Sequence, residues 1–185
     1  MRVISGTARG TALFPPHGDK TRPTSDFVKE NLFNIMMDDV RGAKFLDLFA
    51  GSGAVGIEAL SRGAVSATFV DISQKCIDLT KRNLEKTRLK DKAIVIKGDV
   101  AATIKKLANQ KFDIIFLDPP YDENLARKAL RQICEQDILE DAGYIILEMD
   151  RNADMPEVDE LVSFKEKEYS STKLVFLEKS QGEII

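Results

Sequence analysis

The stretch Asp47-Leu48-Phe49-Ala50-Gly51-Ser52-Gly53-Ala54-Val55-Gly56 decides the fold. It continues the strand-like run Lys44–Phe49 and leads into a helical pattern through Val55, Ala59 and Leu60. Glycine lets the chain reverse sharply between a strand and a helix, and it lets backbone approach a ligand closely. The stretch therefore predicts a strand–turn–helix unit in which the free N–H groups of the helix start face a ligand.

Strands and helices alternate downstream of this unit. Further strands are predicted at Ala67–Val70, Ala93–Lys97, Phe112–Leu117 and Tyr144–Glu148, with helical patterns between them. Five strands that alternate with helices imply βαβ crossovers and a parallel sheet. The tail predicts two more strands, Ser163–Tyr169 and Lys173–Leu177, joined by a short turn. The predicted fold class is α/β, with a mostly parallel seven-stranded sheet and an antiparallel edge.

The N-terminal residues carry a different pattern. Met1–Ser5 and Thr11–Phe14 flank two glycines and predict a β-hairpin. A helix follows, with Thr24 or Ser25 as its N-cap. A chain of 185 residues is long enough for one sizeable core. We therefore expect a single domain over residues 1–185, with a hairpin arm at 1–24 and a Rossmann-like core at 25–180.

Composition excludes several classes of protein. The chain is 43% hydrophobic and 31% charged, close to the globular average, which argues against disordered and collagen-like classes. No stretch approaches eighteen consecutive apolar residues, and the N-terminus has no signal-peptide core. With one histidine and two distant cysteines, Cys76 and Cys134, we expect no zinc site, no disulfide framework and a reducing cytoplasm.

Charge is distributed unevenly along the chain. The net charge is −3, but residues 1–25 carry +3 and the remaining residues −6. The positive residues of the arm are Arg2, Arg9, Lys20 and Arg22, opposed by Asp19 alone. A basic arm on an acidic body is compatible with an anionic partner that docks at one edge. The alternative is that these are scattered, solvated side chains.

Aspartates stand at or near the ends of three predicted strands. They are Asp47, Asp71 and Asp99. Because open α/β sheets bind ligands at the carboxyl edge, we expect these three to share a nucleoside site. Asp47 suits a cationic amino group, Asp71 a ribose diol and Asp99 an adenine amine. The glycine turn with Asp71 also fits a dinucleotide fingerprint, and each aspartate alone fits a helix cap or turn residue.

A second motif, Asp118-Pro119-Pro120-Tyr121, follows the most apolar strand. The exocyclic amine of a nucleobase is a weak nucleophile, so its alkylation needs acceptors for both N–H groups. The Asp118 carboxylate and the Pro119 carbonyl supply two acceptors, and Pro119 and Pro120 fix the backbone and remove competing donors. Tyr121 offers a face on which an extruded base stacks. The alternative is a proline turn that merely ends a buried strand.

These motifs resemble those of a known enzyme family. Asp47–Gly53 and Asp118–Tyr121 are similar to motifs I and IV of the amino-methyltransferases that depend on S-adenosyl-L-methionine (AdoMet). Further segments resemble the RsmD-like family of small-subunit (16S) rRNA guanine-N2 methyltransferases: Met1–Gly6, Arg9-Gly10, Arg22-Pro23-Thr24, Lys29–Asn34, Leu46–Gly53 and Phe116–Tyr121. The resemblance extends over about residues 1–178.

The resemblance implies a class I methyltransferase fold with S-adenosyl-L-methionine as cofactor and guanine in 16S rRNA as substrate. The implied catalytic residues are Asp118, Pro119, Pro120 and Tyr121. The implied cofactor-binding residues are Asp47, Phe49, Gly51, Gly53, Asp71, Asp99 and Val100. The arm residues Arg2, Arg9, Lys20 and Arg22 are expected to contact RNA. We expect a monomer that acts on 16S rRNA or a 30S assembly intermediate, with no metal and no membrane.

Three other functions stay open at this point. The amine could belong to adenine, as N6 of DNA or RNA, or to a protein glutamine, because the Asp-Pro-Pro-Tyr motif does not distinguish among these. An NAD-dependent oxidoreductase would use the glycine turn but leaves that motif without a role. A non-catalytic ribosome-assembly factor could retain only the nucleoside pocket.

Overall fold

A computed structural model describes residues 1–16, 26–120 and 123–180. Its central feature is one seven-stranded sheet in the order β3-β2-β1-β4-β5-β7-β6. The strands are β1 Lys44–Leu48, β2 Ser66–Asp71, β3 Ala93–Lys97, β4 Phe112–Leu117, β5 Leu139–Asp150, β6 Leu161–Glu168 and β7 Thr172–Lys179. The α-helices are α1 Asp26–Met36, α2 Ala54–Ser61, α3 Gln74–Thr87, α4 Val100–Lys106 and α5 Glu123–Glu135. Two short 3₁₀ helices lie at Met37–Val40 and Lys90–Lys92.

The prediction of a mostly parallel α/β sheet is confirmed, with a refinement at one end. Strands β1 to β5 are parallel, and β7 pairs antiparallel with both β5 and β6. The antiparallel strand is therefore inserted between β5 and β6, and β6 forms the edge. The reason is the tight β6–β7 connection, which lets β7 turn back and fill the place beside β5.

The core forms two layers, one on each face of the sheet. Phe45, Phe69, Phe116 and Phe176 pack on the face covered by α1 and α2. The opposite face packs against α4 and α5. Each central strand is buried on both faces, which explains why Phe112–Leu117 is a continuous apolar run. The sheet therefore presents its carboxyl edge, where β1, β2, β4 and β5 end, as the place left for a ligand.

The direction of the strand order reverses between β1 and β4, which creates a topological switch point in the sheet. Strand β1 pairs with β2 on one side and with β4 on the other, and the crossovers leave in opposite directions. Open α/β sheets have a crevice at this position. Both sequence motifs, the glycine turn after β1 and the Asp-Pro-Pro turn after β4, begin at this crevice.

None of the helices in the described parts of the chain is long and apolar enough to cross a membrane.

Candidate active site

The turn after β1 has a backbone that is bent into the left-handed region at three positions. The φ angles are +62° at Phe49, +56° at Gly51 and +75° at Gly53. Helix α3 holds the turn from below, because Thr80 Oγ1 donates to the Gly51 carbonyl at 3.0 Å and Asn83 Nδ2 donates to the Ser52 carbonyl at 2.9 Å. The turn is therefore preformed, with its carbonyl groups directed away from the ligand edge.

The two glycines of this turn have different surroundings. A Cβ placed on Gly51 would meet nothing closer than 4.0 Å, and Gly51 lines a large cavity. A Cβ on Gly53 would lie 2.8 Å from Thr80 Cγ2, on the side of α3. Gly53 is absent from the residues that line the cavity, so its contribution is the shape of the turn and the close approach of α3.

Asp47 lies in β1 beneath the start of α2 and is 2% exposed. Its Oδ2 accepts a hydrogen bond of 2.9 Å from the Gly56 N–H, which belongs to the first turn of α2. Burial raises the Asp47 pKa to about 8, with a smaller opposing effect from the Gly56 N–H. A buried carboxyl group of this kind ionises readily only beside a cation. The site therefore suits the cationic amino group that the sequence predicted for Asp47.

The same contact argues against a dinucleotide. A pyrophosphate would need the free N–H groups at the start of α2. Asp47 already occupies one of those donors, the Gly56 N–H, and its carboxyl group lies beneath the start of α2. The glycine turn in this chain is therefore unsuited to the pyrophosphate of NAD.

Asp71 combines a structural role with a place in the cavity. Its Oδ2 accepts from the Gly51 N–H at 2.9 Å, and its Oδ1 accepts from the Ser73 N–H at 2.8 Å. The carboxylate thus ties the turn after β1 to the start of α3. Each carboxylate oxygen accepts more than one hydrogen bond, so Asp71 retains capacity for a ribose diol.

Asp99 is the N-cap of α4, where its Oδ1 accepts from the Ala102 N–H at 2.9 Å. Its side chain is exposed and lines the cavity beside the buried Val100. Asp99, like Asp71, therefore makes a structural hydrogen bond and also borders the cavity, and its contact with a ligand stays a prediction.

Asp118 follows β4 directly and lines the cavity together with Pro119 and Pro120. Burial raises the Asp118 pKa well above its usual value, and the charges of Glu148 and Asp47 raise it further. Carboxyl groups of the neighbouring strands β1 and β5 thus act on the Asp118 carboxyl group, which follows β4. Tyr121, the predicted stacking residue, lies outside the described residues.

Glu148 is a site residue that the sequence interpretation missed. It lies near the end of β5, is 6% exposed and lines the cavity beside Asp118. The available signal was the rule already applied to the aspartates, namely an acidic residue where an apolar strand ends. No group of metal-ligating side chains is found among the described residues, despite these acids.

The cavity extends from the turn after β1 toward α1 and the β6–β7 turn, with a volume of about 1340 Å³. That is larger than the usual space for one small ligand and suits two ligands side by side. Its outer end is lined by Phe27 and Tyr169, whose rings meet edge to face at 6.1 Å. Phe27 is 65% exposed, so an apolar ring stands open at the cavity mouth.

The predicted N-terminal hairpin is present only in reduced form. One antiparallel bridge joins Arg2 and Ala12, and the described residues of the arm contain no longer strand. The Ile4 and Ser5 N–H groups donate to the Glu58 carboxylate at 2.8 and 2.9 Å, which diverts them from strand pairing. The Val3 N–H donates to the Thr11 carbonyl and the Leu13 N–H to the Met1 carbonyl, so residues 1–13 form a short hairpin that is anchored on α2.

A buried ion-pair network fixes this anchor. Lys29 and Glu58 are both fully buried, and Lys29 Nζ lies 3.4 Å from Glu58 Oε2 and donates to the Arg2 carbonyl. Arg62 Nε donates to Glu58 Oε1 at 2.8 Å. The side chains of Arg2 and Arg9 remain exposed on the docked arm. The other two predicted RNA contacts, Lys20 and Arg22, lie outside the described residues.

Comparison with known proteins gives a consistent result. The family model described as "Conserved hypothetical protein 95" matches residues 1–178. A Bacillus subtilis protein, provisionally named rRNA methyltransferase YlbH, is 42% identical over 182 residues, which are 97% of this chain and 99% of that protein. The Haemophilus influenzae protein "Ribosomal RNA small subunit methyltransferase D" is 36% identical over 169 residues, with coverages of 90% and 88%.

Solved structures agree with the sequence relatives. An Escherichia coli structure that is described provisionally as a methyltransferase has a TM-score of 0.85 at 29% identity, over 97% of this chain and 98% of that chain. A Haemophilus influenzae structure that is described provisionally as a methylase has a TM-score of 0.80 at 32% identity, with coverages of 96% and 97%.

Proposed function

The chain belongs to the RsmD-like family that is described as conserved hypothetical protein 95, and on this premise we propose that it transfers a methyl group from AdoMet to the exocyclic N2 amine of a guanine in 16S rRNA. The observation that carries the proposal is the meeting of two strand ends in one cavity. The turn after β1 and the Asp118-Pro119 corner after β4 both line this cavity, so that a nucleoside cofactor and an amine share one space.

We assign the cofactor end of the site to residues at the ends of β1, β2 and β3. Asp47, Phe49 and Gly51 surround the place for the amino-acid part, and Gly53 shapes the turn that bears them. We assign Asp71 to the ribose hydroxyls, and Asp99 with Val100 to the adenine. The bound cofactor supplies an electrophilic methyl group on a sulfonium. These residues fit such a cation because Asp47, Asp71 and Asp99 border this part of the cavity, and the Gly56 N–H at the start of α2 already donates to Asp47.

The amine end is assigned to the Asp-Pro-Pro corner. The Asp118 carboxyl group and the Pro119 carbonyl accept hydrogen bonds from the two amine hydrogens, which directs the nitrogen lone pair toward the methyl carbon. Pro120 holds the corner because its ring fixes φ. As the nitrogen becomes positively charged, Asp118 stabilises that charge and accepts the proton that leaves. We keep Tyr121 as the stacking partner of the base, on the strength of the sequence motif.

The raised pKa of Asp118 suits its role as proton acceptor. A carboxyl group with its usual pKa would be a weak base toward a methylated amine, whereas a raised pKa brings its basicity closer to neutral pH. A carboxylate in this position also gains from the positive charge that develops on the amine, which offsets the repulsion from Glu148 and Asp47.

We assign RNA contact to the arm, residues 1–24, and methyl transfer to the core, residues 25–180. Arg2 and Arg9 stand exposed on the docked arm, on a body whose net charge is negative. A chain whose net charge is −3 gains little from rRNA phosphates through its overall charge. We therefore infer that a 30S assembly intermediate, which presents protein as well as RNA, is the substrate particle, and that the chain acts as a monomer.

The proposal is tested by mass spectrometry of 16S rRNA from a strain that lacks this chain. We expect one N2-methylguanosine to be absent, and the purified chain with AdoMet to restore it on small-subunit particles from that strain. Loss of an N6-methyladenosine instead, or of no rRNA modification, would contradict the proposal. A chain with Asp118→Ala is the matched control for restoration, because it retains the cofactor end of the site.

A further inference from the structure

Glu148 and Asp118 are neighbours on one face of the sheet. Strands β4 and β5 are parallel with Leu117 opposite Leu147, so the next residue of each strand stands side by side. Phe116 and Ile146, two positions earlier than the acids, pack in the same core layer. Because side chains alternate along a strand, Asp118 and Glu148 share that face. Adjacent strands lie roughly 4.8 Å apart, so both carboxyl groups reach the same small ligand.

Tyr169 extends this pair toward the cavity mouth. Its hydroxyl oxygen is buried and has no hydrogen-bond partner in the described part of the chain. Burial raises the Tyr169 pKa, and the charge of Glu148 raises it further, so the hydroxyl stays a donor. The cavity therefore presents two acceptors, Asp118 and Glu148, together with a donor on Tyr169.

This set of two acceptors and one donor matches the Watson–Crick edge of guanine. Guanine presents an N2 amine, an N1–H and the O6 acceptor, which is the order donor, donor, acceptor. Adenine and cytosine carry an amine beside a bare ring nitrogen, so an acceptor next to the amine site would face a lone pair. A buried acceptor that faces another acceptor is strongly unfavourable, which makes the position beside Asp118 decisive.

We propose that Glu148 selects guanine by accepting a hydrogen bond from the ring N1–H while Asp118 holds the adjacent amine. The inference rests on the proposed function of the site and adds the group that distinguishes guanine from adenine and cytosine. Glu148 acts on base choice and on the placement of the ring. The Tyr169 hydroxyl donates to O6 at the far end of the same edge.

The test compares guanine with 2-aminopurine at the methylated position of the rRNA. 2-Aminopurine keeps the N2 amine but has a bare nitrogen at position 1 and no O6. For the wild-type chain we expect kcat/KM to be about 10- to 100-fold higher on guanine, the effect of losing a hydrogen bond to a charged group. In Glu148→Gln the amide can donate to a bare nitrogen, so we expect transfer to guanine to fall and the guanine to 2-aminopurine ratio to approach one.

Matched variants separate recognition from folding. Glu166→Gln makes the same change on an exposed position of β6 outside the cavity and should behave as the wild type. Glu148→Asp keeps the carboxylate and should retain the preference for guanine. All three variants should bind S-adenosylhomocysteine (AdoHcy) with wild-type affinity in calorimetry, because the cofactor end is unchanged.

The outcomes distinguish this inference from the function beneath it. If the wild-type chain methylates guanine and Glu148→Gln keeps the wild-type base ratio, the assignment of Glu148 is wrong and the proposed function stands. If the wild-type chain methylates adenine in the rRNA, both the proposed function and the assignment are wrong.

Discussion

Removal of the Glu58 carboxylate is the perturbation whose energetic cost follows most directly from the structure. Glu58 accepts from the Ile4 and Ser5 N–H groups and pairs with Lys29 and Arg62. In Glu58→Ala these partners lose their acceptor, and the fully buried Lys29 ammonium group keeps only Asp26 Oδ1, at 3.9 Å, as an ion-pair partner. Burial already lowers the Lys29 pKa, which shows how poorly its site solvates the charge.

The expected cost is about 3–5 kcal/mol, the usual effect of breaking a buried ion pair by removing one partner. For a chain of this size each kcal/mol lowers Tm by about 2–4 °C, so we expect a decrease of about 6–20 °C. The assay is thermal unfolding followed by circular dichroism, with urea unfolding as a second measure of the free energy of unfolding. Glu58→Ala combined with Lys29→Met should recover part of the loss, because no uncompensated charge stays buried.

The matched control is Glu85→Ala, which removes an ion pair with Lys90 in which both side chains are more than half exposed. Exposed pairs contribute about 0–1 kcal/mol, so its Tm should stay near the wild-type value. A Glu58→Ala chain that unfolds within about 1 kcal/mol of the wild type would refute the reasoning, since solvent would then have to reach Lys29 freely.

Three further predictions concern the cofactor turn, the arm and the effect of pH. Gly53→Val should abolish AdoHcy binding in calorimetry, because a side chain at φ +75° meets Thr80 and distorts the turn. Replacing Arg2 and Arg9 with glutamine should weaken RNA binding, with Tm unchanged, and reduce the slope of log affinity against log salt by about 1 for each phosphate that is no longer neutralised. The free energy of unfolding of the ligand-free chain should fall as pH rises between the ordinary carboxyl value of 3.8 and about 8. The folded chain retains the Asp47 proton in that range while the unfolded chain releases it, so Asp47→Asn should flatten the dependence.

Each of these three has a result that contradicts it. Wild-type AdoHcy affinity in Gly53→Val would show that the turn tolerates a side chain. An unchanged salt slope in the double arginine variant, equal to that of the exposed control Arg127→Gln on α5, would place the RNA elsewhere. Equal pH dependence in Asp47→Asn and in the exposed control Asp91→Asn would show that Asp47 is ionised in the ligand-free fold.

The strands could be predicted closely where burial on both faces imposes an apolar run. The predicted bounds of Ala93–Lys97 and Phe112–Leu117 coincide with β3 and β4. Strand β5 was predicted as Tyr144–Glu148 but begins at Leu139. The additional residues of β5 include the exposed Asp141 and Ala142, and they pair with β4 where the register shifts. This part of β5 therefore has no alternating hydrophobic pattern that would predict a strand.

The candidate site could be predicted as far as it depends on strand ends. Parallel strands bring their carboxyl ends to one edge, so Asp47, Asp71 and Asp99 were predicted from their places at strand ends, and Asp118 was predicted from the Asp-Pro-Pro-Tyr motif that follows a strand. Residues that come together only through tertiary packing could not be predicted in this way. Lys29 and Glu58 are charged residues of the kind that usually lie on the exposed face of a helix. No local sequence pattern shows that α1 and the arm bury them.

The aromatic groups at the cavity mouth illustrate the same limit. Phe27 and Tyr169 are separated by most of the chain, and their contact depends on how α1 meets the β6–β7 turn. The sequence motifs therefore predicted the residues that we assign to the cofactor and the amine, whereas the aromatic groups at the cavity mouth became apparent only from the fold.

The role of Asp118 tests the account most directly, through single-turnover methyl transfer to small-subunit particles from a strain that lacks this chain. We expect Asp118→Ala to reduce the transfer rate by roughly 10²- to 10⁴-fold while its affinity for AdoHcy stays at the wild-type value. An Asp118→Ala chain that transfers the methyl group at the wild-type rate would contradict the assignment of the amine to the corner after β4, and with it the proposed mechanism.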